Sequence, residues 1–156
     1  MNLSAPFLAQ FFKDQMDATS PYWDLLFGNE SEALAYAQSH SLSTTSISEI
    51  AKYLALLPKA NTHRNRTVII TQGPDATIVA IAQGNGQAIV KEFPTAQIPA
   101  EEIVDSNGAG DAFAGGYVGE LILGGGLERC IQVGQWLAGL CLRRNGPTYR
   151  SPQRSW

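Results

Sequence analysis

The chain is poor in the residues that build metal centres and covalent scaffolds, with two cysteines and two histidines among 156 residues. Cys130 and Cys141 stand eleven positions apart in what reads as one helix, a rise of about 16 Å. That is too far for a bridge, so a disulfide framework is excluded and a reducing compartment fits. His40 and His63 lie in polar stretches with no cysteine beside them, which leaves no basis for a Cys/His zinc site. No window approaches the roughly eighteen apolar residues of a membrane helix. The first residues, Met1-Asn2-Leu3-Ser4-Ala5-Pro6, carry no basic run, so a soluble, cytosolic protein is expected. Basic excess is missing too: eleven Lys and Arg against fourteen Asp and Glu give a net charge of −3, which argues against binding nucleic acid through net positive charge. Acids are absent after Glu128, while Arg129, Arg143, Arg144, Arg150 and Arg154 follow. This basic end is either a solvated face or a contact for an anionic ligand.

Familiar catalytic signatures are absent as well. There is no Walker P-loop, no G-x-S-x-G elbow and no H-E-x-x-H pair. Phe113 stands where a dinucleotide fingerprint beginning at Gly108 and Gly110 would need its third glycine, so hydride transfer loses its main support.

What is present reads as a packed α/β body, 44% apolar. Ser4 is expected to cap a short helix entered through Pro6, with Phe7, Leu8, Phe11 and Phe12 on one core-facing side. Residues 23–27 read as a buried strand ending at Gly28-Asn29, and residues 32–38 as a helix. Ser48 is expected to cap a helix over 49–57 that Pro58 stops. The basic stretch 59–66 reads as a surface connection, and the β-branched run 67–71 as a central strand buried on both faces. After a turn at Gln72-Gly73-Pro74-Asp75, strands over 77–82 and 88–93 form a hairpin through Gly84-Asn85-Gly86. A helix beginning at Gly110 or Asp111 runs to Leu123, and a last one covers 127–143, closed by Asn145-Gly146-Pro147. The order implies a mixed sheet with helices packed on it.

The chemistry concentrates in Asp105-Ser106-Asn107-Gly108-Ala109-Gly110-Asp111-Ala112-Phe113. Two glycines let the backbone turn tightly, and the N–H groups that open a helix converge on one point with the positive end of its dipole behind them. Such a nest takes an anion. A carboxylate at Asp111 beside it has two explanations. It steadies the helix N-terminus, or it accepts the proton of a hydroxyl attacking a phosphoryl group held over the nest.

The string Asn107-Gly108-Ala109-Gly110-Asp111-Ala112-Phe113 resembles the C-terminal signature of the ribokinase-like (pfkB-type) carbohydrate and nucleoside kinases. Three further stretches, Met1-Asn2-Leu3-Ser4-Ala5-Pro6-Phe7, Leu26-Phe27-Gly28-Asn29-Glu30-Ser31-Glu32 and Thr71-Gln72-Gly73, are similar to the branch of that family that phosphorylates adenosine. Arg143-Arg144-Asn145-Gly146 completes the order near the end. The resemblance implies the C-terminal part of a three-layer α/β/α sandwich, with a mixed sheet and helices on both faces. By the same resemblance, residues 1–156 are the ATP-binding and catalytic part of a kinase domain about twice this length, whose N-terminal half and lid lie outside it.

The implied reaction carries the γ-phosphoryl group of ATP to the 5′-hydroxyl of adenosine, giving AMP and ADP in purine salvage. Asp111 is then the general base, and the backbone of Gly108, Ala109 and Gly110 the anion hole. Asn29 and Glu32 match an N-x-x-E element that organises Mg2+ through its waters, although a turn asparagine and a helix-start glutamate explain the pair equally. Asn29, Thr71, Gly73, Asn107 and Gln135 face the nucleotide, and Phe7 reaches toward the nucleoside. Asn107 has helix capping as its competing role. Gln135 stands where relatives often carry a histidine beside the adenine, and Pro74 where some carry a basic residue. Of the five arginines, Arg143 and Arg144 fall on the nucleotide side. Cys130, Cys141 and Trp136 fit the interior of the last helix. The implied partners are ATP and adenosine, with no nucleic acid and no membrane, in a kinase monomeric at full length. Its compartment is the cytoplasm, with the nucleus as the alternative. Two other readings remain: another sugar or nucleoside as acceptor, or a nonenzymatic fragment that binds nucleotide.

Overall fold

A computed structural model describes residues 1–146, which fall into two compact units, Met1–Thr95 and, from Ala96 onward, a second. The first holds helices α1 (Pro6–Phe11) and α2 (Lys13–Thr19), strand β1 (Leu25–Asn29), helices α3 (Glu30–Ser39) and α4 (Ile47–Leu56), and strands β2 (Thr67–Gln72), β3 (Asp75–Ala82) and β4 (Ala88–Phe93). The second holds α5 (Ala109–Ile122) and α6 (Leu127–Leu142). Among the described residues, no helix is long and apolar enough to cross a membrane.

The sheet of the first unit runs β1-β2-β3-β4. It is mixed, as expected: β1 lies parallel to β2, and the other two pairings are antiparallel. Register places Leu26, Val68, Ala80 and Val90 side by side, with Ile70 opposite Ile78. This face packs with Ala33, Tyr36, Ile50, Ala51 and Leu54 of α3 and α4 in one apolar core. Phe27, Ile69 and Val79 point the other way and are buried too. The β-branched run is therefore buried on both faces, because alternate residues of a strand face opposite sides and each side here is apolar. The outer edge of β1 is covered by the start of the chain, where Phe27 N–H donates to Met1 O at 3.0 Å and Leu3 N–H to Phe27 O at 2.9 Å.

Four local expectations in this unit need correction. Ser4 is not the cap of α1; Ala5 holds that position. Ser4 instead has φ of +62°, in a tight turn where Ala5 N–H reaches Leu3 O at 2.7 Å and Asn2 Oδ1 accepts from Ser4 N–H at 3.1 Å. The aromatic side of α1 is not core: Phe7, Phe11 and Phe12 are exposed, and Ala9 is the buried residue. Helical periodicity marks a face without saying what covers it. Ser46, rather than Ser48, caps α4, accepting from Glu49 N–H at 3.4 Å, because Ser46 is the residue with extended backbone just outside the helix. Arg66 is not on the surface. Its side chain is wholly buried, and its guanidinium donates to the carbonyls of Trp23 (2.8 Å), Leu54 (3.0 Å), Leu57 (2.7 Å), Ser20 (2.6 Å) and Pro58 (3.1 Å). These bonds stitch the last carbonyls of α4 to the turn that precedes β1. They also use the full complement of five N–H donors a guanidinium has.

In the second unit α5 and α6 meet through glycine. A Cβ on Gly116 would lie 2.8 Å from Val133 O, and one on Gly134 2.9 Å from Phe113 O. Small residues at both positions let the two backbones touch. Cys130, Ile131, Gly134 and Cys141 line the buried side of α6, and both cysteines are free of disulfide. Trp136 is 63% exposed, against expectation, because two residues on from Gly134 is about 200° round the helix.

Candidate functional site

In the first unit, the stretches singled out from sequence come together at one end of the sheet. Asn29 ends β1, Thr71 lies opposite it in the parallel register, and Gly73 follows in the turn after β2. The carboxyl ends of parallel strands are where α/β proteins gather ligands. The β2–β3 ladder shifts register between Ile70 and Gln72, so Thr71 sits on a bulge, a device that re-aims a side chain. Gln72 Nε2 donates to Ala76 O at 2.6 Å across the turn. Gly73 has φ of +58° at the first of the two turn positions, a site at which a two-residue hairpin favours glycine.

Asn29 and Glu32 form a reciprocal capping box on α3. Asn29 Oδ1 accepts from Glu32 N–H at 2.9 Å, while Asn29 N–H and Nδ2 donate to Glu32 Oε2 at 3.0 Å and Oε1 at 2.9 Å. Ser31 Oγ adds a donation to Asn29 Oδ1 at 2.7 Å. A Cβ on Gly28, just before the box, would lie 2.8 Å from Leu3 Cδ1 and 3.4 Å from Glu32 Oε2. The structural role of the pair is thus realised. Among the described residues, no group of three or more His, Cys, Asp or Glu is arranged to hold a metal ion. The chemistry of the pair nevertheless suits a hydrated magnesium ion. A hard cation that keeps several waters is served by a fixed carboxylate accepting from one of them, whereas direct ligation would displace the box. The box itself predicts that Asn29→Ala unfolds in urea about 1–2 kcal/mol more readily than the parent chain, with Asn29→Ser recovering most of the loss. An unchanged midpoint would mean that α3 does not depend on this cap.

In the second unit, Gly108 is the N-terminal flanking residue of α5, with φ of +79°, and no side chain caps the helix. Ala109 N–H turns back to Ser106 O at 3.3 Å, and Ala112 N–H makes the first helical bond, to Gly108 O at 2.8 Å. The N–H groups of Gly110 and Asp111 lie between these two, in the first turn, where a helix supplies no carbonyl partner. Asp111 itself is exposed in that first turn. Asn107 precedes the nest with its carbonyl accepting from Cys141 Sγ at 3.4 Å, and it is not the helix cap.

Sequence reasoning missed Asp105. Its carboxylate accepts from the N–H of Asn107 at 2.9 Å and of Gly146 at 3.0 Å. These backbone bonds, Asn107's foremost, hold it below the usual carboxylate range. The Asn107 bond was foreseeable as an aspartate two residues ahead of a turn; the one to Gly146 was not. Arg143 Nε donates to Glu102 Oε2 at 2.7 Å, and its Nη1 to Gly139 O at 3.2 Å. Gln135 is half-buried on α6, and Phe7 half-exposed on α1. Burial pushes the Cys130 thiol up, consistent with a packing role. Pro147, Arg150 and Arg154 lie outside the described residues.

The second unit thus presents an uncapped helix start opened by a left-handed glycine, with a carboxylate in its first turn. Residues 1–154 match the pfkB family carbohydrate kinases, and the chain belongs to that family. Within it, the chain is similar to adenosine kinases. It is 47% identical to that of Schizosaccharomyces pombe over 156 residues, 100% of this chain and 44% of the relative. It is 43% identical to adenosine kinase 1 of Arabidopsis thaliana over 149 residues, covering 96% of this chain and 42% of the relative. Among solved structures, the Anopheles gambiae adenosine kinase in complex with P1,P4-di(adenosine-5) tetraphosphate superposes with a TM-score of 0.86 at 42% identity, over 96% of this chain and 45% of that one. The Schistosoma mansoni enzyme with 2-fluoroadenosine gives 0.88 at 36% identity, over 96% and 43%. The chain therefore spans less than half the length of these relatives.

Proposed function

We propose that this chain is the ATP-binding and catalytic part of an adenosine kinase, transferring the γ-phosphoryl group of ATP to the 5′-hydroxyl of adenosine. The observation that carries the proposal is the start of α5, where Gly108 opens the helix without a side-chain cap and Asp111 stands in its first turn. The first-turn N–H groups are aimed before charge moves, which makes preorganised electrostatics their main contribution to phosphoryl transfer. Asp111, exposed to solvent, takes the proton of the attacking hydroxyl. Ala109 N–H is already engaged with Ser106 O, so the donors to the migrating group are chiefly Gly110 and Asp111, with Gly108 supplying the backbone turn. Thr71, Gly73, Asn107 and Gln135 contact ATP, and Phe7 packs on the nucleoside. Magnesium, when bound, neutralises phosphate charge, and Asn29 and Glu32 hold its water. The setting is cytoplasmic purine salvage, and the full-length kinase is monomeric.

The test is an assay for adenosine-dependent AMP and ADP formation. It is run on the purified chain alone and on the chain combined with the N-terminal portion of the Schizosaccharomyces pombe relative. Little or no turnover is expected from the chain alone, because orienting the acceptor provides much of the rate. The combination is expected to yield AMP and ADP in equal amounts. Phosphorylation of a different sugar or nucleoside in preference to adenosine would move the assignment to another acceptor. ATP binding with no turnover in either format would leave a nucleotide-binding fragment.

A further inference from the structure

Three asparagines of the chain stand directly before a glycine, in Asn85-Gly86, Asn107-Gly108 and Asn145-Gly146, and all three are exposed. Asn-Gly is the pair in which main chain most readily attacks side chain, because glycine brings no Cβ to shield its nitrogen. The structure separates the three by what holds that nitrogen. Gly86 N–H donates to Gln83 O at 3.2 Å, and Gly146 N–H to Asp105 Oδ2 at 3.0 Å. The Asn85 side chain is tethered as well: its Oδ1 accepts from Gln87 N–H at 3.1 Å and its Nδ2 donates to Gln87 Oε1 at 3.2 Å. Gly108 N–H has no acceptor among the described residues. It lies where the chain turns left-handed, with φ of +79°, just ahead of α5. The Asn107 side-chain amide leans on the Asp105 carboxylate, a contact of an exposed residue that water replaces at little cost.

An amide held in a hydrogen bond reacts only while that bond is open, so the tethers slow the pairs at Asn85 and Asn145 and spare the one at Asn107. We propose that Asn107 is the chain's site of spontaneous deamidation, and that the change spoils the opening of α5. Gly108 N attacks Asn107 Cγ, and the new N–Cγ bond closes a five-membered succinimide. The Cγ–Nδ2 bond breaks, and Nδ2 leaves as ammonia with the proton that Gly108 N gives up. Water then opens the ring at either carbonyl to leave aspartate or isoaspartate at position 107, with nothing oxidised or reduced. Isoaspartate routes the main chain through the side chain and lengthens it by one carbon, inside the turn that Ala109 N–H closes on Ser106 O at 3.3 Å. Either product adds a negative charge ahead of the first-turn N–H groups. Loss of phosphate binding rests on the kinase reading above, whereas the reaction at Asn107 does not.

The test ages the full chain at neutral pH, folded and in urea, digests it with an acid-active protease, and follows each Asn-Gly peptide by mass spectrometry for replacement of NH2 by OH. In urea the three pairs are expected to react at comparable rates. In the folded chain Asn107 is expected to keep close to its urea rate while Asn85 and Asn145 slow by at least about tenfold. Asn107 slowed as much as the other two would overturn the proposal, and so would Asn85 or Asn145 reacting first. In 15N spectra, ageing is expected to shift the Gly110 and Asp111 amide resonances of the parent but not those of Asn107→Gln, whose side chain is too long for the five-membered ring. The modified chain, separated by its extra charge and titrated with MgATP, is expected to bind about tenfold or more weakly than the unmodified one. Unmoved resonances in the modified chain, or equal MgATP affinity in the two forms, would overturn the damage to α5. If the unmodified chain binds no MgATP while ageing still moves those resonances, the reaction at Asn107 stands and the phosphate-site reading is what fails.

Discussion

Replacing Arg66 by methionine is expected to cost the chain about 4 kcal/mol or more of stability. Methionine keeps most of the apolar stem but withdraws the guanidinium from the carbonyls of Ser20, Trp23, Leu54, Leu57 and Pro58, of which Ser20 O and Leu54 O still accept from Trp23 N–H at 3.2 Å and Leu57 N–H at 3.4 Å. A hydrogen bond from a charged donor contributes about 1.5–3 kcal/mol net, and an orphaned buried acceptor forfeits about 1–3. Five such bonds are not additive, since carbonyls near a helix end relax and admit water. Even a third of the nominal sum is a large share of the roughly 5–15 kcal/mol that holds a domain together. Arg66→Lys should recover only part of the loss, because an ammonium has three donors on a point and not five on a planar fork. Urea unfolding followed by far-UV circular dichroism measures both variants. A loss under about 1 kcal/mol for Arg66→Met would show that water replaces the guanidinium freely and that the stitch is not what holds α4 to the turn before β1.

The second large effect is chemical. In the combination that turns over adenosine, Asp111→Asn is expected to lower kcat by about 10²- to 10⁴-fold, the usual worth of a positioned base. The KM for ATP should stay close to the parent's. The same substitution should change unfolding free energy by less than about 1 kcal/mol, because an acid in the first turn of a helix contributes only about 0.3–1 through the helix dipole. That split separates the two explanations the sequence left open. A residue that merely steadies α5 would show the small stability change and leave kcat within a few-fold.

Much of the fold was legible because the signals were local. The β-branched run 67–71 read as a strand buried on both sides, and the glycine-flanked limits of α5 and α6 fall within two residues of expectation. The stretches that make up the candidate site were legible for a different reason, their resemblance to a family signature. What escaped was everything decided by a partner far along the chain. Arg66 precedes a strand inside a basic loop and looks solvated until segments 20–23 and 54–58 bring their carbonyls to it. Gly146 reaches Asp105 across forty-one residues. Phe7, Phe11 and Phe12 show the converse: apolar spacing named a face, but burial depends on what packs there, and in α1 it fell to Ala9.

The glycine contact between α5 and α6 makes the second unit stiff in a particular way. At Gly116 and Gly134 main chain lies against main chain, with the Leu137 and Phe113 side chains closing round the contact. Six residues separate Gly116 from Gly110, about 9 Å of helix. A pull on the N–H groups at the tip is therefore transmitted through a short rigid lever to α6, with little give at the fulcrum. Thickening that seam by a single methyl group would tilt the lever, and the displacement would appear at its far end, the first turn of α5.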